Sequence, residues 1–212
     1  YHGAWLARHA GGGSTGKTTT WEGGHHSPGL AVWPGHIPAG SSSDALASTL
    51  DYLPTLASLA GAPLPNDRVF DGRDLTPALL HGAASVRDTL PHPNSGCEGV
   101  IGEVDTMRWK KYKAKWISGG SCVNCAGVAA PPMQHDPPLL FNLATDVAEA
   151  DALDPTKSQT AAAAADKLAQ ARRELLASVA GDRTTVANYS QDYSVRPCCN
   201  PKDHLCRCSP PK

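Results

Sequence analysis

Residues 11–26 read GGGSTGKTTTWEGGHH, and the reading of this stretch decides the fold. Gly11, Gly16, Lys17 and Thr18 satisfy G-x-x-x-x-G-K-[ST], the pattern of a phosphate-cradling loop. Such a loop needs a buried strand before it and a helix starting at the lysine, so that backbone N–H groups and the helix dipole face the phosphates. Neither flank complies. Upstream stands YHGAWLARHA, without a run of β-branched residues; downstream, Gly23, Gly24 and Pro28 interrupt a helix within about two turns. Nucleotide binding is the weaker reading, and Lys17 is left as a cation for a different anion.

The 212 residues allow one large domain or two small ones, and 41% hydrophobic content is enough for a core. Nineteen Lys and Arg against twenty Asp and Glu leave a net charge of −1, which points away from a nucleic-acid or membrane-surface partner. Protonating all nine histidines would carry that balance to +8, so the chain becomes cationic in an acidic compartment. No run approaches the roughly 18 uninterrupted apolar residues of a membrane span. The start at Tyr1, with no signal peptide, suggests a fragment or processed piece. Seven cysteines and the sequon Asn188-Tyr189-Ser190, which makes Asn188 a glycosylation candidate, suggest an oxidising route: lysosomal or secreted.

Leu46, Leu50, Leu53, Leu56 and Leu59 recur at helical spacing and predict a helix over 43–61, capped by Ser43 and ended by Gly61, with Pro54 kinking it or starting a second short helix. TPALLHG, residues 76–82, predicts a short helix with Thr76 as cap and Gly82 as stop. Residues 83–99 read as a linker. VIGEV (100–104), MRWKKYKAKWIS (107–118) and PPLLFNL (137–143) read as three strands, the second alternating apolar and basic residues. A last long helix is expected over 160–180, with Leu168, Leu175, Leu176 and Val179 on its packed side and Gly181 as terminator. The second half therefore reads as a small antiparallel sheet with a packed helix.

GKTTTWEGGHHSPGLAVWPGHIPAG followed by LASTLDYLPTLASLAGAPLPNDRVFDGRDLTPALL resembles the sulfatase family, and within it the arylsulfatase A-type enzymes. KYKAKW, HDPPLLFNL and CCNPKDHLCRC continue the resemblance in order, over nearly the whole chain. It implies an α/β fold: the C-terminal end of an alkaline-phosphatase-like sulfatase domain in residues 1–90, then a small α+β domain with a cysteine-rich tail in 91–212. It implies that Lys17 contacts the substrate's sulfate, where an ammonium neutralises charge as the S–O bond breaks. His135 falls on a family histidine at the substrate mouth, able to donate to the sulfate or leaving group; a turn histidine is the plain alternative. Glu22 reads as an acceptor of backbone hydrogen bonds and His36 as a loop-packing residue, while His25 and His26 depart from the family's Arg and acidic neighbour.

The family's nucleophile is a formylglycine made from the cysteine of Cys-x-Pro-x-Arg, and none of the seven cysteines has that context. Tyr1-His2-Gly3 stands where the family has Asp-Asn-Gly, so the oxygen ligands of its Ca2+ are missing and no metal ligand is assigned. The chain alone is expected not to hydrolyse an aryl sulfate. It is expected to act with an N-terminal sulfatase portion on a sulfated small molecule, glycolipid or glycan, and a homo-oligomer is compatible with this. A non-catalytic secreted remnant or binding module of sulfatase descent is the alternative.

The tail cysteines Cys198, Cys199, Cys206 and Cys208 allow three pairings among themselves, and the resemblance implies Cys198–Cys206 and Cys199–Cys208. A zinc site with His204 is the rival, against which the spacing argues. The odd total leaves one thiol over, with Cys97 the candidate; Cys122 and Cys125 suit a local bridge or partners elsewhere.

Overall fold

A computed structural model describes residues 19–94, 99–120 and 130–182. The chain divides into two compact units, Tyr1–Gly181 and Asp182–Lys212, and of the second only Asp182 is described. Four antiparallel strands form one sheet in the order of the chain: β1 (Thr89–Pro93), β2 (Val104–Trp109), β3 (Tyr112–Gly120) and β4 (Ala130–Asn142). Among the described residues three short α-helices precede it, α1 (Glu22–His25), α2 (Tyr52–Leu59) and α3 (Thr76–His81), and α4 (Gln159–Gly181) follows it.

The stretch expected as one strand over 107–118 is a hairpin. Trp109 pairs with Tyr112, and the chain reverses at Lys110, whose φ of 52° lies in the left-handed region. Val100–Glu103 are not strand; β2 starts at Val104. The expected linker contains β1, whose sequence TLPHP carries two prolines. Proline lacks the ladder N–H, yet an edge strand tolerates it, and β1 is an edge. β4, at the other edge, extends further upstream than PPLLFNL and also contains prolines.

One sheet face is covered by α4. Val104, Met107, Tyr112, Ala114 and Leu140 pack with Ala161, Ala164 and Leu168, while Trp109, Trp116 and Leu175 line the margin. The helix bounds agree with the sequence, but its buried stripe is largely alanine; Leu176 and Val179 are exposed. Alanine lets the helix axis approach the sheet closely. Arg172 fastens the contact, its Nε donating to Val104 O at 2.6 Å and its guanidinium lying 4.9 Å from the Trp116 ring centroid.

The predicted 43–61 helix begins late. Ser48, not Ser43, caps a 3-10 turn at Thr49–Asp51 that leads into α2, with Ser48 and Asp51 forming a capping box. Pro54 lies in the first turn of α2, where no helix hydrogen bond is lost. Its buried residues are Pro54 and Thr55, whereas Leu50, Leu53 and Leu56 are more than half or half exposed (50–64%). The packed side is set by polar geometry: Thr55 Oγ1 donates to Asp51 O at 2.6 Å and accepts from Leu75 N at 2.9 Å. Gly72 permits this approach, because a Cβ there would fall against the Leu50 carbonyl. Gly82 ends α3 in the left-handed conformation, as read; the cap of α3 is Leu75, and the Asp74 carboxylate takes the Thr76 N–H at 2.8 Å.

Candidate functional site

The second sheet face carries the polar chemistry. Cross-strand partners share a face, and the register pairs His92 with Thr106, Thr106 with Lys115, Arg108 with Lys113, and Lys113 with Phe141. A strand alternating apolar and basic residues would ordinarily point its lysines to water. Here Lys113 and Lys115 are both 0% exposed. Their cover is Thr19–Gly23, a stretch some ninety positions earlier and directly after the segment holding Lys17.

Trp21 supplies the apolar part of the cover. It packs with Phe141 and Leu143, meeting the Phe141 ring edge-on at 5.7 Å. The Lys115 ammonium lies 4.1 Å from the centroid of the Trp21 ring, a cation–π contact, and bonds Thr20 Oγ1. Thr106 Oγ1 donates to the same oxygen at 2.8 Å. One hydroxyl thus joins two strands to the covering segment.

Beside it lies a three-charge cluster. Lys113 Nζ stands 2.9 Å from Glu22 Oε1 and 2.9 Å from Glu149 Oε1, the second contact lying off the hydrogen-bonding direction. The Glu22 N–H donates to Glu149 Oε2 at 2.6 Å, and Arg108 approaches Glu22 at 3.8 Å. The Glu22 side chain therefore takes an ion pair rather than the backbone hydrogen bonds expected of it. Burial pushes the Glu22 carboxyl up, but the charge and hydrogen bond of Lys113, with Arg108 and His26, outweigh it and hold Glu22 below the usual range. Burial pushes Glu149 up as well, and there it prevails over Lys113 and the Glu22 N–H. One lysine cannot satisfy two carboxylates equally, and Glu22 holds the larger share.

His92 lies against this cluster, buried, its ring 4.6 Å from that of His25 and its Nε2 without a hydrogen-bond partner. Burial first, then the charges of Lys113, His25, Arg108 and Lys115, hold its imidazole well below its ordinary 6.5. Between the folded value and 6.5 the unfolded chain binds the proton and the folded chain does not. The stability that His92 contributes is therefore complete above pH 6.5 and lost as pH falls through the folded value. In His92→Leu that part of the acid slope should disappear from the unfolding midpoint; an unchanged slope below pH 6.5 would assign it to other groups.

His135, on β4, is half-buried, with Nε2 2.6 Å from Ser118 Oγ on β3. Loss of water, and then the Lys115 charge, hold its imidazole below the ordinary value, which favours the neutral ring. His36 is exposed and stacked on Trp33 at 3.9 Å. Lys17, Asn188 and Cys198, Cys199, Cys206 and Cys208 lie outside the described residues, as do Cys97, Cys122 and Cys125. Among the described residues no group of three His, Cys, Asp or Glu side chains could hold a metal ion, and Glu22 and Glu149 are committed to Lys113. That donor set does not suit Ca2+. Among the described residues no helix is long and apolar enough to cross a membrane.

Residues 85–208 match the family described as the C-terminal region of aryl-sulfatase. The chain belongs to the sulfatase family. Arylsulfatase G of Canis lupus familiaris is 46% identical to this sulfatase region over 197 residues, covering 93% of the chain and 36% of the relative. Arylsulfatase G of Homo sapiens is 43% identical over 208 residues, covering 98% and 39%. Arylsulfatase A of Homo sapiens is 45% identical over 140 residues, covering 63% and 27%. Among solved structures, the PsFucS1 sulfatase from Pseudoalteromonas sp. superposes with a TM-score of 0.69 at 26% identity, over 81% of this chain and 33% of that one. The chain thus spans little more than a third of the length of its arylsulfatase G relatives. None of the buried partners of Lys113 and Lys115 was legible as such in the sequence; only the abundance of lysine in WKKYKAKW hinted at them.

Proposed function

We propose that the chain is the C-terminal portion of a sulfuric ester hydrolase, in which Lys17 contacts the sulfate and His135 hydrogen-bonds the sulfate or the leaving oxygen. The observation that carries this is the packing of Thr19–Glu22 onto the lysine-bearing sheet face. Thr20, three positions after Lys17, bonds Lys115, and the charge of Lys115 acts on His135. That charge and the loss of water favour the neutral His135 ring, which can both accept and donate hydrogen bonds. On this reading residues 1–90 complete an alkaline-phosphatase-like catalytic domain and 91–212 form the small C-terminal domain. An N-terminal portion would bring the nucleophile and Ca2+, whose charge would neutralise sulfate oxygens, and would cover the exposed leucines of α2. The substrate class is a sulfated small molecule, glycolipid or glycan, and the compartment is lysosomal or extracellular.

In the complete protein Lys17→Ala should lower kcat/KM for a chromogenic aryl sulfate by about 10²–10³-fold, the usual effect of removing one preorganised charge contact. An unchanged value would remove Lys17 from the site, and absence of turnover in the unsubstituted protein would favour the non-catalytic alternative. The tail is proposed as a disulfide clasp, Cys198–Cys206 and Cys199–Cys208, with Asn188 glycosylated. Peptide mapping of secreted protein without reductant checks both, and four free thiols would refute the clasp.

A further inference from the structure

We propose that Thr20 and Lys115, braced by Lys113, Glu22 and Glu149, are positioning residues for the sulfate contact: they fix Thr20–Glu22, the stretch that follows Lys17 in the chain, on the sheet. The proposal rests on the reading of Lys17 as the sulfate contact. Thr20, Trp21 and Glu22 are buried in succession, and each is held by a different device: a shared hydroxyl, a ring under an ammonium, and an ion pair.

The choice of residues is informative. Burying ions is costly before they are paired, and an apolar cluster of the same volume is often at least as stable. Two buried lysines and two buried glutamates are therefore a poor way to gain stability alone. Their directional bonds do something an apolar contact cannot: they admit one register. Trp21 on Phe141 would tolerate a shift of an ångström. The Thr106 bond of 2.8 Å, the Glu22–Lys113 contact of 2.9 Å and the Glu22 N–H bond of 2.6 Å would not. Because these bonds reach from β2, β3 and the segment after β4, the sheet fixes Thr20–Glu22 from three sides. A charge contact to a reacting group needs that accuracy, since a misplacement of about 1 Å can cost about 10²-fold in rate.

The test uses the complete protein and a chromogenic aryl sulfate, with Thr20→Val and Lys115→Met made alone and on Lys17→Ala. Each is expected to lower kcat by about 10- to 100-fold, with KM changing less and the protein folded at the assay temperature. On Lys17→Ala the same substitutions should cost less than about twofold, because residues acting as a unit are not additive. Thr20→Ser, which keeps the hydroxyl, should retain most of the activity. Equal losses in both backgrounds, or full kcat in folded Thr20→Val, would overturn the proposal. Thr20→Val is isosteric and carries the test if Lys115→Met does not fold. A Lys17→Ala enzyme with unaltered kcat/KM would refute the Lys17 reading itself and the positioning with it. An impaired Lys17→Ala with additive losses would refute the positioning alone.

Discussion

Lys113→Met should destabilise the protein by about 3–5 kcal/mol, the range expected when one partner of a buried ion pair is removed. The substitution nearly preserves side-chain length and takes away only the ammonium. Glu22 and Glu149 would then face each other in a buried space vacated by a cation, with Arg108 3.8 Å and His26 3.9 Å from the Glu22 carboxylate. At least one carboxylate must take up a proton or the covering segment must lift from the sheet. Chemical denaturation monitored by tryptophan fluorescence would show this as a fall in the midpoint. The triple variant Lys113→Met/Glu22→Gln/Glu149→Gln should recover much of the loss, because no buried charge is orphaned. A single-variant loss below about 1 kcal/mol would mean that water reaches the cluster.

Asp51→Ala should cost a similar amount, about 3–5 kcal/mol, for a related reason at the other end of the unit. The Asp51 side chain is 0% exposed and that of its partner Arg87 is 6% exposed. Oδ1 bonds the Arg87 guanidinium and takes the Arg73 N–H at 2.7 Å; Oδ2 takes the Ser48 N–H at 2.7 Å. One side chain therefore caps the turn into α2, receives the 71–75 segment and neutralises an arginine just before β1. Alanine would leave a buried cation and two N–H groups unpaired. Asp51→Asn should cost less, since one carbonyl oxygen remains. Asp51→Ala/Arg87→Met should be milder than the sum of its single changes, as coupled sites are. Additive losses in that cycle would show that the pair contributes nothing as a pair.

The two sites differ in how far they could be read. Ser48 and Asp51 stand three apart before an apolar run, a capping signal visible in the chain, although Ser43 offered a competing start. Nothing local marks Arg87 as the partner, because it lies 36 positions away in a stretch that reads as a linker. The same holds for β1, whose prolines argue against a strand until it is known to be an edge. For α2 the leucine period was right and the packed side was not, since Thr55 and Asp51 make the directional contacts while Leu53 and Leu56 stay exposed.

By itself the sequence determined that a small antiparallel sheet is followed by a long helix, the end of α4 at Gly181, the stop of α3 at Gly82 and the membership in the sulfatases. These depend on neighbours within a few residues, or on a succession of motifs, and both are written along the chain. Only the tertiary structure decided that Lys113 and Lys115 are interior. An alternating strand states which residues share a face but not what covers that face. The cover is Thr19–Gly23, and its threonine, tryptophan and glutamate turn two solvated lysines into the buried cations that hold it in place.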